Sequence, residues 1–184
     1  MKYLIVGAGG TGGVVGYYMT KAGKNVTLIA RGAHLKQMQT KGLTLEKMWD
    51  QSTETIPVKA SDMEHYTEQP DVILVCVKGY SLEDTIPFIQ KVAKKDTVVI
   101  PILNIYGTGA KMQKKLQELL VTDGCIYVSA NIKEPGVLLQ HGKILKVVFG
   151  VRTEDALCGC ADLRCAGRTG RNRIYYSRCK RMEV

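Results

Sequence analysis

The decisive stretch is Met1–Gly32, MKYLIVGAGGTGGVVGYYMTKAGKNVTLIARG. Lys2 to Val6 is a short, unbroken apolar run that stops at glycines, the pattern of a central parallel strand. The glycines Gly7-Ala8-Gly9-Gly10-Thr11-Gly12 follow, then a helical pattern over Val14–Ala22. Gly23 ends that helix, and Asn25 to Ile29 form a second strand. Strand, glycine turn, helix and strand in about 30 residues require a right-handed crossover. Each glycine has a separate physical task. Gly7 permits the tight turn out of the strand, Gly9 admits a diphosphate to the backbone, and Gly12 lets the helix lie close on the strand. The free N–H groups and positive dipole end of the helix then face the anion. GxGxxG alone is weak evidence; here it follows a buried-type strand and opens a helix, which is the context a dinucleotide fingerprint needs.

The second strand indicates which dinucleotide. NAD-binding turns are usually followed, about 20 residues on, by a carboxylate for the ribose 2′-OH. This chain has Leu28-Ile29-Ala30-Arg31-Gly32 there, with no carboxylate. A guanidinium at Arg31 suits a 2′-phosphate, with Lys36 one turn further on in support. The expectation is therefore NADP(H) in preference to NAD(H), with a plain surface arginine as the alternative.

Further along, the chain alternates strands and helices. Helices are predicted at 33–41, 81–92 and 107–120, with Ser81 as an N-cap and Asp84 in the first turn. Strands are predicted at 43–46, 55–59, 71–77, 97–100, 125–130, 137–140 and 145–149. Trp49, the only tryptophan, is assigned to core packing. The fold class that follows is α/β, a Rossmann-type, doubly wound and mostly parallel sheet. Lys78 and Asn104 each follow a buried strand, where ligands of such sheets bind. They are expected to hold an anion or ribose hydroxyl and to orient the nicotinamide end. The three histidines lack metal-ligand spacing. His34 is expected to be exposed and His141 to sit in a turn before Gly142; neither is expected to be catalytic.

Charge and cysteines divide the chain at about residue 150. The net charge of +9 splits as +5 over 1–150 and +4 over 151–184. No basic run alternates with aromatics as a single-strand nucleic-acid binder needs, so no nucleic-acid partner is expected. No apolar run is long enough for a membrane helix, and no cleavage site follows the first strand, so a cytoplasmic protein without a membrane partner is expected. Cys76 and Cys125 lie in strand-like runs and read as buried free thiols. Cys158, Cys160, Cys165 and Cys179 crowd the last 34 residues, whose Cys, Arg and Gly content lacks any sustained period. That composition reads as a frameshifted remnant, mostly disordered. Its cysteine spacing does not match paired zinc knuckles, so no metal is expected. Residues 1–150 are thus expected to form an NADP-binding domain and 151–184 an irregular tail.

Five separated segments, MKYLIVGAGGTGG, LIARG, ILVCVKGYSLEDT, PILNIYG and EPGVLLQHGK…VVFG, together resemble the ketopantoate reductase (2-dehydropantoate 2-reductase) family over residues 1 to about 151. The resemblance implies NADPH-dependent reduction of 2-dehydropantoate to pantoate, on the route to pantothenate and coenzyme A. It implies diphosphate contacts at the glycines matching Gly7, Gly9 and Gly12, a 2′-phosphate contact at Arg31, cleft positions at Lys78 and Asn104, and a backbone contact beside the nicotinamide at Ala130. It also implies a helical C-terminal domain carrying a catalytic lysine, which is expected to be absent from these 184 residues; the expectation is a truncated, inactive reductase, and no catalytic residue is assigned within this chain. Family members usually have Asn-Gly where this chain has Asn104-Ile105, which leaves a related 2-keto acid open as substrate. A stand-alone NADP(H)-binding module without catalysis is the other reading. A sheet that normally faces a helical domain would expose apolar surface, and a homodimer is one way to cover it.

Overall fold

A computed structural model describes residues 1–152, 168–169 and 172–176. Its centre is a six-stranded, wholly parallel sheet: β1 (Lys2–Val6), β2 (Asn25–Ile29), β5 (Lys59–Ser61), β6 (Val72–Val75), β7 (Val98–Pro101) and β8 (Leu120–Val121). The strand order is β5-β2-β1-β6-β7-β8, which reverses between β1 and β6. That is the Rossmann-type arrangement, and the reversal opens a crevice at the carboxyl ends of β1 and β6. β1, β2, β6 and β7 are buried on both faces, as unbroken apolar runs require.

On one face lie α3 (Leu82–Val92) and α4 (Thr108–Lys115), which pack Ile86, Phe88, Ile89 and Met112 against Leu4, Ile73, Val75 and Val99. On the other lies α1 (Gly10–Lys21), backed by a second sheet. This sheet joins β3 (Leu43–Lys47), β4 (Ser52–Ile56), β9 (Asp123–Glu134) and β10 (Val137–Gly150). β9 and β10 form a long antiparallel pair, and β3 runs parallel to the first part of β10, with Leu138 opposite Leu45. Val14, Val15 and Tyr17 of α1 share one core with Ile5 and Leu28 of the first sheet and Leu43, Leu45, Leu138 and Val147 of the second. The helix α2 (Gly32–Lys41) follows β2.

Several boundaries differ from the sequence expectation, each for a physical reason. α1 starts at Gly10, not Val14; packing between two sheets overrides the poor helix propensity of its glycines. The strand expected at 55–59 is divided at Pro57, which has no N–H for a ladder. Its two pieces join different sheets, β4 beside β3 and β5 beside β2. α4 is shorter than expected because the Gln113 side chain takes over the backbone beyond it. Its amide donates to the Leu116 and Leu119 carbonyls at 3.1 and 2.8 Å, and its Oε1 accepts from Val121 N–H at 3.1 Å. The strands expected at 137–140 and 145–149 are one, β10, with an irregularity between Gln140 and Leu145. There the fully buried Gln140 amide donates to the Gly142 carbonyl at 3.0 Å, which holds the bulge closed, and His141 is a strand residue. Trp49 is half-buried in the β3–β4 turn, outside the core. Ser81 occupies the N-cap position of α3 without a side-chain capping bond, although Glu83 and Asp84 lie in the first turn.

The frameshift, zinc and disorder readings fall on the last 34 residues, most of which lie outside the described residues. Two short strands are described there, β11 (Arg168–Thr169) and β12 (Asn172–Tyr176), and β12 runs parallel to β10 from Lys146 to Phe149. Its NRIYY sequence has the β-branched and aromatic content of a strand. No helix among the described residues is long and apolar enough to cross a membrane.

Candidate dinucleotide site

The site is built on the loop between β1 and α1. Gly7 has φ +100°, a conformation that L side chains rarely adopt. Both Gly7 N–H and Ala8 N–H donate to the Ile29 carbonyl at the end of β2, at 3.2 and 2.9 Å. The glycine turn is thereby tied to the strand that leads into Arg31. A Cβ on Gly12 would run into the Gly7 carbonyl oxygen and lie 2.8 Å from Cys76 Cβ, so this position is closed to any side chain. Gly9 is the opposite case. It is the N-cap of α1, and nothing lies within 4 Å of where its Cβ would be. The N-cap makes no side-chain capping bond, and the first turn of α1 holds no acidic residue. The helix therefore presents unfilled N–H groups and its positive end at an open backbone surface. Residues of this kind fit an anionic group.

The β9 strand closes one side of this opening. A Cβ on Gly10 would lie 2.5 Å from the Ala130 carbonyl oxygen and 2.7 Å from Asn131 Cα. Ala130 and Gly10 are thus neighbours, with Thr11 next along the first turn of α1. Asn131 was not singled out in the sequence; its Oδ1 lies 2.6 Å from His141 Nε2.

Arg31 is exposed at the N-cap of α2, and Lys36 is exposed on the same helix. Lys78 is exposed at the N-cap of a single 3-10 turn, Gly79–Ser81, after β6. Asn104 is exposed in the bend after β7. The side chains of Arg31, Lys78 and Asn104 have no hydrogen-bond or ion-pair partner among the described residues. The loops after β6 and β7 touch, because the Ile105 side chain lies over Gly79 where a Cβ would stand. Cys76 N–H donates to the Val6 carbonyl at 2.8 Å and Ile102 N–H to the Val75 carbonyl at 2.8 Å, which aligns the ends of β1, β6 and β7. The glycine turn, Arg31, Lys78 and Asn104 therefore all follow the carboxyl ends of parallel strands, and Ala130, inside β9, meets them through Gly10. Tyr80, Ile105 and Tyr106 add large exposed hydrophobics to the same rim.

Of two groups beneath the site, the Cys76 sulfur agrees with the sequence reading of a buried free thiol and His34 departs from its own. Cys76 is only partly buried by area, but its sulfur is enclosed, and that enclosure pushes the thiol up to about 12. It remains a neutral thiol near physiological pH. His34 is half-buried, not exposed: both ring nitrogens are engaged, with Ala8 O at 2.9 Å from Nε2 and Gly136 N–H at 2.9 Å from Nδ1. No local spacing announces this, because Gly136 is 102 residues away. No cluster of His, Cys, Asp and Glu among the described residues could hold a metal ion.

Comparison with known proteins places this geometry in context. A model of the ketopantoate reductase PanE/ApbA family matches residues 3–154. The 2-dehydropantoate 2-reductase of Pyrococcus horikoshii is 29% identical over 160 residues, covering 80% of this chain and 47% of that protein. That of Aquifex aeolicus is 26% identical over 151 residues, covering 82% of this chain and 46% of that protein. The chain spans about half the length of the curated relatives it matches. Among solved structures, a PanE/ApbA family ketopantoate reductase from Ralstonia eutropha superposes with a TM-score of 0.79 at 26% identity, covering 96% of this chain and 56% of that one.

Proposed function

The chain belongs to the ketopantoate reductase PanE/ApbA family, and from that premise we propose that it binds NADPH for the reduction of 2-dehydropantoate to pantoate. The observation that carries this reading is the open backbone at Gly9, at an uncapped helix N-terminus, in a turn bonded to the Ile29 carbonyl two residues before Arg31, whose guanidinium has no partner among the described residues. Gly9, Gly10 and Thr11 offer N–H groups to a diphosphate. Arg31 takes the 2′-phosphate with paired charge-assisted hydrogen bonds, supported by Lys36. Lys78 and Asn104 face the cleft at the ends of adjacent strands, where they hold a ribose hydroxyl and orient the nicotinamide, and the Ala130 backbone borders it. A bound nicotinamide supplies the hydride that reduces a ketone. No residue of this chain is assigned as the proton donor.

A related 2-keto acid is a second reading, favoured by Ile105. Its side chain covers Gly79 and stays half-exposed, adding an apolar wall between the loops that carry Lys78 and Asn104.

The test is a calorimetric titration of the purified chain with NADPH and with NADH, repeated for Arg31→Ala. Loss of the guanidinium removes charge-assisted bonds worth about 1.5–3 kcal/mol. NADPH affinity should fall by one to two orders of magnitude, with NADH affinity little changed. Equal losses for both cofactors would remove Arg31 from the 2′-phosphate. A folded chain indifferent to both would end the reading.

A further inference from the structure

His34 stands in the first turn of α2, three residues after Arg31. Its ring joins three separate parts of the site. Nδ1 accepts a hydrogen bond from Gly136 N–H, in the turn between β9 and β10, at 2.9 Å. A backbone amide can only donate, so Nδ1 carries no proton. The Ala8 carbonyl, 2.9 Å from Nε2, can only accept. The proton therefore resides on Nε2, and the ring is neutral. Burial acts in the same direction: it holds the ring below the ordinary histidine value, against the opposing pull of the Ala8 bond.

The Ala8 carbonyl is one half of a peptide plane whose other half is the Gly9 N–H. Across a trans peptide the two point in opposite directions. Ala8 N–H is already fixed by the Ile29 carbonyl at 2.9 Å. With its carbonyl held by His34, Ala8 is fixed on both sides, and the direction of Gly9 N–H is set. That N–H has no partner among the described residues, and the space over Gly9 is open. The hairpin turn on the far side of the ring is seated closely too, since a Cβ on Gly136 would lie 2.8 Å from Gln37 Cβ of α2.

We infer that His34, as its neutral Nε2–H tautomer, is the positioning residue that aims Gly9 N–H at the diphosphate of a bound dinucleotide. This rests on the dinucleotide reading above. The ring also registers the β9–β10 hairpin against the glycine turn, so the Ala130 side of the opening and the Gly9 side keep one spacing.

Side-chain amides separate the two bonds. The amide nitrogen of glutamine falls near the place of Nε2, and asparagine reaches only the place of Nδ1. His34→Gln therefore keeps the bond to Ala8, and His34→Asn keeps only the bond to Gly136. NADPH titrations of the wild type, His34→Gln, His34→Asn and His34→Ala, each with its thermal midpoint, form the experiment. The expected result is near wild-type affinity for His34→Gln and a loss of about tenfold for His34→Asn and His34→Ala, the scale of one misdirected hydrogen bond. Affinities that follow the thermal midpoints, with glutamine no better than asparagine, would overturn the inference and leave NADPH binding intact. So would unchanged affinity in all three. Nitrogen NMR of the unmutated protein gives a test that needs no variant: a proton on Nδ1, or a charged ring at neutral pH, overturns the inference. A wild type that binds neither NADPH nor NADH would instead remove the dinucleotide reading, and this inference with it.

Discussion

The two ends of the parallel sheet carry similar charged residues and treat them in opposite ways. At the amino end the charges satisfy one another. Asp71, just before β6, accepts from Lys2 N–H at 2.6 Å and pairs with Lys94, and Lys2 Nζ reaches Glu68 at 2.9 Å. Lys59 Nζ donates to Asn25 Oδ1 at 3.0 Å between the starts of β5 and β2. At the carboxyl end Arg31, Lys78 and Asn104 stand exposed and unpartnered among the described residues. An internal partner would have to be displaced before a ligand could bind. The difference separates polar groups that hold the strands together from polar groups left available to something else.

The contrast can be broken most strongly at the glycine turn. Gly12→Val should destabilise the fold by about 3 kcal/mol, since overpacking at a site closed by backbone leaves no relaxation route. Gly9→Ala should change stability by less than about 0.5 kcal/mol and weaken NADPH binding about tenfold or more, because its methyl enters the open surface. Urea denaturation beside calorimetry reads both, and similar stability losses for the two would show that Gly9 is also packed. Lys78→Ala comes next. NADPH affinity should fall about tenfold, the loss of one charge-assisted bond, with an unchanged urea midpoint. A stability loss without a binding loss would move Lys78 to the structural side of the comparison.

Asp71→Asn tests the other end. Stability should fall by about 1 kcal/mol or less at pH 7, as for a partly exposed ion pair, with NADPH affinity unchanged. The pH dependence has a definite sign. Lys94 first, and then Lys2 N–H, hold the Asp71 carboxyl below its ordinary value in the folded protein. Its contribution is therefore complete above the unfolded value of about 3.9 and is lost as pH falls through the lower folded value. The gap between wild type and Asp71→Asn in urea midpoint should close on acidification; a gap that widens would contradict the pairing. The smallest effect belongs to Lys133→Ala in the second sheet. Its pair with Glu46, at 2.8 Å, is exposed, and the thermal midpoint should not move measurably.

The parallel sheet was legible in the sequence because its strands are buried on both faces. KYLIV, NVTLI and the apolar run ending in Val75 announce themselves without knowledge of their partners. The second sheet was not. β3 and β4 are half-exposed, and β3 lies beside a strand that begins some 90 residues later, so no local pattern shows that Leu43 and Leu45 face α1. β8 has two residues and no pattern at all. At the candidate site, the glycines and Arg31 were singled out because their residue types are chemically unusual at those positions. His34 was misjudged because its burial comes from a hairpin turn distant in sequence. Ser81 shows the reverse error: the right residue type at a cap position does not ensure the bond.

The placement of α1 has a kinetic corollary. A helix flanked by two sheets, with Gly13 against Leu138 on one side and Gly16 against Leu28 on the other, cannot fray toward solvent along its middle turns. Its central amides can meet deuterium only when both sheets part, so they should be among the slowest of the molecule to exchange. The mouth of the same helix, one turn away, should exchange far sooner. A single element would then report both the global opening of the protein and the local breathing of its glycine-turn edge.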